Sequence, residues 1–251
     1  MSVDKSTLVE HLAELRKRLI YTVVVFLVFL ILSFFYVDRI FGILKGNLPA
    51  GMKLTALGPG DVLHVYVLVG SLAALALTLP FALVQAWLFI KPALSRKEQR
   101  WAITYIPGVI LMFVLGVLFA WYVIFPMLLS FLIRLGSQQF TVLMTASSYF
   151  GLMTNIVLPL GFFFDMPVVV LFLTRIGIIT PQQLTRFRKY AYLVLVVIAS
   201  MISPPEFISH LSVAVPLILL YEISIWISKW AYRNRGERLS DSNLVKTDTD
   251  Q

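Results

Sequence analysis

Residues 101–133 read WAITYIPGVILMFVLGVLFAWYVIFPMLLSFLI, thirty-three positions without a single charge. A helix on the surface of a soluble domain keeps one polar face; this run has none. At 1.5 Å per residue it would reach ~50 Å, well beyond the ~30 Å hydrocarbon core of a bilayer. The stretch is therefore expected to be a membrane span too long to lie straight, with Pro107 and Pro126 inside it. The whole 251-residue chain agrees, being 59% hydrophobic and only 14% charged. Soluble domains carry roughly 25% charged residues, and the mean hydropathy here is +0.87. A soluble globular protein is excluded. With no cysteine, so are a disulfide framework, a thiolate metal site and a cysteine nucleophile.

Five more apolar runs flank this one. Residues 19–37 are uncharged up to Val37, and 62–90 contain only His64, with Pro80 as a point of bending. Residues 149–174 carry one charge, Asp165. Beyond a basic loop come 190–202, then the turn Ser203-Pro204-Pro205-Glu206, then 207–228 with Pro216 and Glu222 inside. Thirteen residues of helix cover only ~20 Å, so 190–202 and 207–228 read either as a re-entrant hairpin or as two short spans. Two spans with local bilayer thinning are favoured, because mismatch costs only fractions of a kcal/mol per Å. The expected architecture is an all-α integral membrane protein with six transmembrane helices and short fifth and sixth spans. It occupies residues 1–230, and the polar tail 231–251 is expected to lack fixed structure. No internal repeat is visible, which weakens an inverted-repeat transporter.

The basic residues give the orientation. Lys5, Arg16, Lys17 and Arg18 precede the first run; Lys91, Arg96, Lys97 and Arg100 follow the second; Arg175, Arg186, Arg188 and Lys189 follow the fourth. Lys229, Arg233, Arg235, Arg238 and Lys246 follow the last, which puts 17 of the 21 Lys and Arg on one side. Only Arg39, Lys45, Lys53 and Arg134 fall in the alternate loops. By the positive-inside rule both termini are expected in the cytoplasm. The net charge of +8 is then mainly a topology signal, and no nucleic-acid partner is expected. The first run resembles a signal peptide but is too long for an h-region and lacks a small-x-small site after Val37. It is expected to stay attached as the first span.

Few residues can carry chemistry. Residues 7–18, TLVEHLAELRKR, form an amphipathic helix with the capping box Thr7-x-x-Glu10 and an apolar stripe of Leu8, Leu12, Leu15 and Leu19. Glu14 faces Arg18 at i,i+4, a pair worth ~0.2–0.5 kcal/mol; alternatively it is a carboxylate displayed to receive a cation. Glu98, three residues after Ser95, is either the second half of a capping box or the single acid of a basic loop with a function of its own. Asp165 is the sharpest observation, since an acid at mid-membrane costs from ~2.5 to more than 10 kcal/mol. It must be neutral, paired or facing a wet cavity. Glu222 lies nearer the end of its span and can snorkel. Ser203 and His210, near the outer corner, are suited to hydrogen-bonding a neighbouring helix. No H-E-x-x-H, G-x-S-x-G or phosphate-binding loop is present, and His11, His64 and His210 lie in separate segments. Neither a catalytic group nor a metal site is expected.

Together the segments resemble the TatC family, the membrane core of the twin-arginine protein translocase. The resemblance is carried by His11-Leu12-Ala13-Glu14-Leu15-Arg16-Lys17-Arg18-Leu19 and Gln85-Ala86-Trp87-Leu88-Phe89-Ile90-Lys91-Pro92-Ala93-Leu94. Glu98-Gln99-Arg100, Phe164-Asp165-Met166-Pro167 and Ser203-Pro204-Pro205-Glu206 complete it, from about Leu8 to Trp230. It implies Sec-independent export of folded cargo bearing paired-arginine signal peptides, powered by the proton-motive force, without cofactor or covalent step. Glu14 and Glu98 would read the arginines, with Leu12 and Phe89 as apolar neighbours of the signal. A plasma or inner membrane location, self-association, and contacts of Ser203 and His210 with single-span TatA-type subunits, with or without TatB-type ones, are also implied. The family's intramembrane acid is usually glutamate; Asp165 is one methylene shorter. Gln99 replaces a common second basic residue, and His210 stands where glutamine is frequent. The main rival is a proton-coupled solute transporter using Asp165, but spans one to three offer almost no polar groups for a substrate. A scaffold with no cargo of its own is the other.

Overall fold

The computed structural model describes residues 5–48, 52–90, 104–138, 140, 142–204 and 206–249; for 5–11, 90 and 234–249 the description stops at the backbone. The elements are helical throughout: α1 (Lys5–Phe35), α2 (Val37–Leu44), α3 (Pro59–Ile90), α4 (Ile106–Phe119) and α5 (Phe125–Ser137), then α6 (Ala146–Phe163), α7 (Met166–Ile176), α8 (Pro181–Arg186), α9 (Arg188–Ile202) and α10 (Phe207–Thr249). Among the described residues five segments are long and apolar enough to cross a membrane: Leu12–Phe35, Pro59–Phe89, Ile106–Ser137, Ala146–Ile176 and Phe207–Arg233. The expected fifth span corresponds to α9, whose 15 residues reach only ~22 Å. α10 continues along the polar tail to Thr249, interrupted by no proline after Pro216.

Two compact units divide the chain, Met1–Phe162 and Phe163–Gln251. In the first, α1 packs along α3 and α3 along α4. Phe113, Phe125, Tyr149, Phe150, Met153 and Ile156 form its buried centre. Phe125, Tyr149 and Phe150 meet edge-to-face with centroids 5.1–5.2 Å apart, the arrangement aromatic quadrupoles favour. The Tyr149 hydroxyl, buried among these rings, donates to the Leu44 carbonyl at 2.9 Å. Gly161 allows α6 to approach α4: a Cβ there would lie 2.9 Å from Val117 Cγ2 and 3.1 Å from Phe113 Cε2. The outward faces of α1 and α3 leave Leu19, Val23, Leu27, Ile31, Leu63 and Leu77 exposed, an apolar surface suited to lipid.

The long uncharged run does not lie straight. α4 and α5 are joined by a π-helical turn at Ala120–Ile124. In that turn Phe125 N donates to Ala120 O, so the next carbonyl, Trp121 O, would look to residue 126. That residue is proline and has no N–H. The orphaned carbonyl is taken instead by the side chain of Asn47, Nδ2 to O at 2.9 Å. Thr55 and Thr145 form an isolated parallel bridge that ties two further loops of this unit, with Thr55 N to Met144 O at 3.0 Å and Ala146 N to Thr55 O at 2.9 Å.

In the second unit α10 packs against α7, α8 and α9. Its buried positions include Ala199, Ser209, Ala214, Ser224 and Ser228, the small residues that let helices approach closely in lipid. Thr174 and Ser228 hydroxyls meet at 2.7 Å, fixing the end of α7 against α10. α7 stops at Gly177, whose φ of 84° suits a residue without Cβ. Gly177 N bonds to Thr174 O at 3.1 Å and Ile178 N to Leu173 O at 3.0 Å. α8 then starts with a full capping box: Thr180 Oγ1 accepts from Gln183 N at 3.3 Å, and Gln183 Oε1 accepts from Thr180 N at 2.9 Å.

Asn47→Ala should cost about 1–2 kcal/mol, because it strands a carbonyl that the proline cannot satisfy. Thermal unfolding of the detergent-solubilised protein measures this against Gly46→Ala, where a Cβ meets nothing within 4 Å. Equal melting of the two variants would remove the role assigned to Asn47.

Candidate functional site

Glu14 and Arg18 lie one turn apart on α1, and the expected pair forms. Arg18 Nη2 is 2.5 Å and Nε 3.2 Å from Glu14 Oε1. Both bonds fall on that one oxygen, and none among the described residues falls on Oε2. Arg18 also crosses to α3, where Nη1 donates to Gln85 Oε1 at 3.2 Å. The pair is thus part of a helix–helix clasp as well as a local contact. Its side chains are partly exposed, Arg18 at 20% and Glu14 at 31%. They border an open cavity of about 460 Å³ shared with Ala13, Lys17, Tyr21 and Gln85. Lys17 Nζ sits 5.8 Å from the Tyr21 ring centroid, so the cavity carries two cations and one acid.

Leu12 is 63% exposed, and Leu15 and Leu19 are also uncovered; the apolar stripe of α1 has no partner along this turn among the described residues. Phe89 is half-buried in the last turn of α3, four residues after Gln85 and on the same helical face. Glu98, Gln99 and the loop around them lie outside the described residues, as do the side chains of Thr7, Glu10 and His11. Gln85 sits inside a quoted motif, but sequence reasoning gave it no role. Only the fold brings a glutamine 67 residues downstream onto Arg18.

In the second unit Asp165 occupies the break between α6 and α7. Its backbone carbonyl accepts from Val168 N and Val169 N, both at 3.0 Å. The residue is 2% exposed, and neither carboxylate oxygen has a hydrogen-bond partner among the described residues. Glu222 is different: Oε2 pairs with Arg188 Nη2 at 2.8 Å, and Oε1 accepts a very short hydrogen bond from the Tyr192 hydroxyl. An arginine and a tyrosine from α9 therefore meet an acid of α10, where the sequence suggested snorkelling. Ser203 and His210 close on each other across the turn between α9 and α10, Oγ to Nδ1 at 2.6 Å. Ser203 Oγ also donates to Ala199 O at 2.9 Å, so Nδ1 of His210 must be the donor to Oγ. Among the described residues no cluster of three metal-ligating side chains occurs.

Residues 10–216 match the family model described as TatC, Sec-independent protein translocase protein. The chain belongs to the TatC family. It is 42% identical to the Sec-independent protein translocase protein TatCd of Bacillus subtilis, over 94% of this chain and 96% of that one. A second B. subtilis TatC protein, TatCy, is 43% identical over 93% and 92% of the two chains. A crystal structure of the twin arginine translocase receptor TatC superposes with a TM-score of 0.80 at 34% identity, covering 88% of this chain and 99% of that one. The all-helical fold and apolar spans agree with a TatC membrane protein of the protein-transport class.

The Glu222 cluster yields a stability prediction. Its ion pair is 37% and 36% exposed, so Arg188→Ala should cost about 1–3 kcal/mol, between the limits for surface and buried pairs. Glu222→Gln, which keeps an acceptor for Tyr192, should cost less. A double-mutant cycle on thermal stability in detergent checks this; a coupling energy near zero would show that the two groups act independently.

Proposed function

We propose that this TatC-family chain is the signal-recognition core of a twin-arginine translocase, reading paired arginines at the cytoplasmic face of the membrane. The observation that carries the reading is the state of Glu14. Its carboxylate already holds a guanidinium, that of Arg18, on one oxygen. An incoming signal arginine finds the other oxygen open, and once Arg18 yields the first it can take the fork–fork geometry that lysine cannot reproduce. Arg18 has a second acceptor ready in Gln85, so it can yield the carboxylate without losing every partner. Glu98 supplies the second carboxylate in this reading, and a pair of acids then demands a pair of arginines. The exposed Leu12, Leu15 and Leu19 and Phe89, one turn beyond Gln85, offer apolar contact to the hydrophobic part of the signal.

Assembly follows recognition. Single-span TatA-type subunits, with or without a TatB-type partner, gather on α9 and α10 near Ser203 and His210, and folded cargo crosses using the proton-motive force. Six spans with both termini in the cytoplasm fit the distribution of Lys and Arg. As the fifth span, α9 would be ~8 Å shorter than the hydrocarbon core, so lipid around it must thin. Asp165 stays in the proposal as the intramembrane acid. The chain itself catalyses no covalent step.

Photo-reactive probes beside Glu14 and Glu98 in membrane vesicles test the receptor role. Replacing the signal's Arg-Arg by Lys-Lys, or Glu14 by Gln, should lower adduct yield by about tenfold or more, the size of a lost charge-assisted bond of ~1.5–3 kcal/mol. Arg18→Gln, which leaves the carboxylate in place and removes the arginine it already holds, should keep adduct formation with Arg-Arg signals and raise it with Lys-Lys signals. Equal adducts with lysine signals would assign Glu14 to structure alone.

A further inference from the structure

We propose that the basic pocket between α8 and α10 binds the phosphodiester headgroup of an anionic membrane lipid. The pocket has a volume of about 730 Å³ and is lined by Arg186, Lys229 and Arg233 together with Gln182, Thr185 and Tyr232. Among the described residues no acid lines it. Neither Arg186 nor Lys229 has an acidic partner among the described residues, so the pocket holds two charges that no described acid neutralises. The lining also carries two neutral donors, the Gln182 amide and the Tyr232 phenol, while the Thr185 hydroxyl is already given to Pro181 O at 2.8 Å. The two cations Arg186 and Lys229 and two neutral donors around one cavity match an anion with several oxygens.

Its depth selects a lipid over a soluble anion. The apolar part of α10 ends at Arg233, and Ser228, one residue before Lys229, is bonded to Thr174 near the end of α7. The pocket therefore begins where two spans of this unit run out. Lys229 is seven residues, about 10 Å of helix, beyond Glu222, whose pairing with Arg188 marks the start of α9. Large aromatic side chains ring the same end: Trp226 is 72% and Trp230 50% exposed, and Phe187, Tyr190 and Tyr232 are open as well. Exposed tryptophan and tyrosine gather at the headgroup level of a bilayer. The cations thus sit in the layer where lipid phosphates lie, and juxtamembrane Lys and Arg attract anionic headgroups there.

The pocket is built into the fold. α8 is held by its capping box at Thr180 and by the Tyr221 hydroxyl, which donates to Leu184 O at 2.8 Å. Arg186 is consequently presented at a fixed register from Lys229. A lipid in this place clamps α8 to α10 from the membrane side and adds a contact that neither helix makes alone. This is independent of signal recognition, whose residues lie in the first unit.

The test titrates the full chain in neutral detergent with phosphatidylglycerol, with phosphatidylcholine and with glycerol 3-phosphate, counting bound lipid by native mass spectrometry. Phosphatidylglycerol should be retained and phosphatidylcholine lost, with the double variant R186Q/K229Q binding phosphatidylglycerol roughly 25-fold more weakly, from about 1 kcal/mol for each cation. Lys53→Gln, which removes one cation from a different loop, should leave binding unchanged. R186K/K229R should stay within about threefold of the wild type, since a lipid phosphate is also met by a point charge. Lipid retention by R186Q/K229Q, equal binding of phosphatidylcholine, or loss of lipid from R186K/K229R would each overturn the proposal. Displacement by glycerol 3-phosphate at the same concentration as lipid would reassign the pocket to a soluble phosphate and overturn it likewise. A melting temperature that rises with phosphatidylglycerol in the wild type, but not in R186Q/K229Q, is the expected second readout.

Discussion

A backbone carbonyl inside a bilayer has no water to turn to, and that constraint shapes this chain more than any other. Each unsatisfied group costs several kcal/mol in hydrocarbon, so every irregularity in a span must find its own partner. The joint between α4 and α5 shows the rule at work. Pro126 cannot donate, the helix widens to a π turn, and Asn47 is drawn in from a distant loop to meet Trp121 O. The break at Asp165 obeys it too, with one carbonyl accepting from both Val168 N and Val169 N. At Gly177 the last carbonyls of α7 are closed by the left-handed residue and the two amides around it. The protein is helical because helices satisfy this demand within the segment, and its exceptions are local repairs.

Side-chain charge meets the same constraint and is met in two different ways. Glu222 is surrounded: Arg188 supplies a cation and Tyr192 a hydroxyl, both from α9, and the cluster joins α9 to α10. Asp165 has neither partner among the described residues, and both of its oxygens are buried. The two acids are therefore different objects, although composition treats them alike. Glu222 acts on the geometry of its own unit. Asp165 is a buried carboxylate that no described side chain of its unit bonds.

What the sequence made legible follows from the range of each signal. Apolar length is local, and α1, α3, α4–α5, α6–α7 and α10 all lie on runs that hydropathy marks out. The ends were less legible. The third run reads to residue 133, whereas its last helix continues to Ser137, because Arg134 lies in the final turn of a helix and does not stop it. The i,i+4 pair of Glu14 and Arg18 could be read from spacing alone. Its third member, Gln85, could not, since nothing local in a glutamine reveals that an arginine 67 positions earlier will reach it. The Ser203–His210 bond was half legible: both were marked as polar groups at a corner, and the fold supplied the fact that they find each other. Arg188 carried a topology signal in the sequence, and its contact with Glu222 gives it a structural role that charge counting does not contain.

The internal guanidinium on Glu14 also bears on how the proposed receptor would discriminate. If Glu14 stood bare, any cation would gain by approaching it, and lysine would lose to arginine only by the difference in hydrogen-bond geometry. With Arg18 already seated on one oxygen, an incoming group that takes both oxygens must displace an arginine from the first. Arginine replacing arginine is close to an even exchange at that carboxylate, and Gln85 recovers part of what Arg18 gives up. Lysine offers a point charge in place of a fork, so for it the same exchange is uphill. Net affinity must then come from the second arginine and from the apolar segment lying along Leu12, Leu15 and Phe89. In the proposed receptor neither a single arginine nor a lysine pair would suffice, and the Glu14–Arg18 pairing would give the site its stringency.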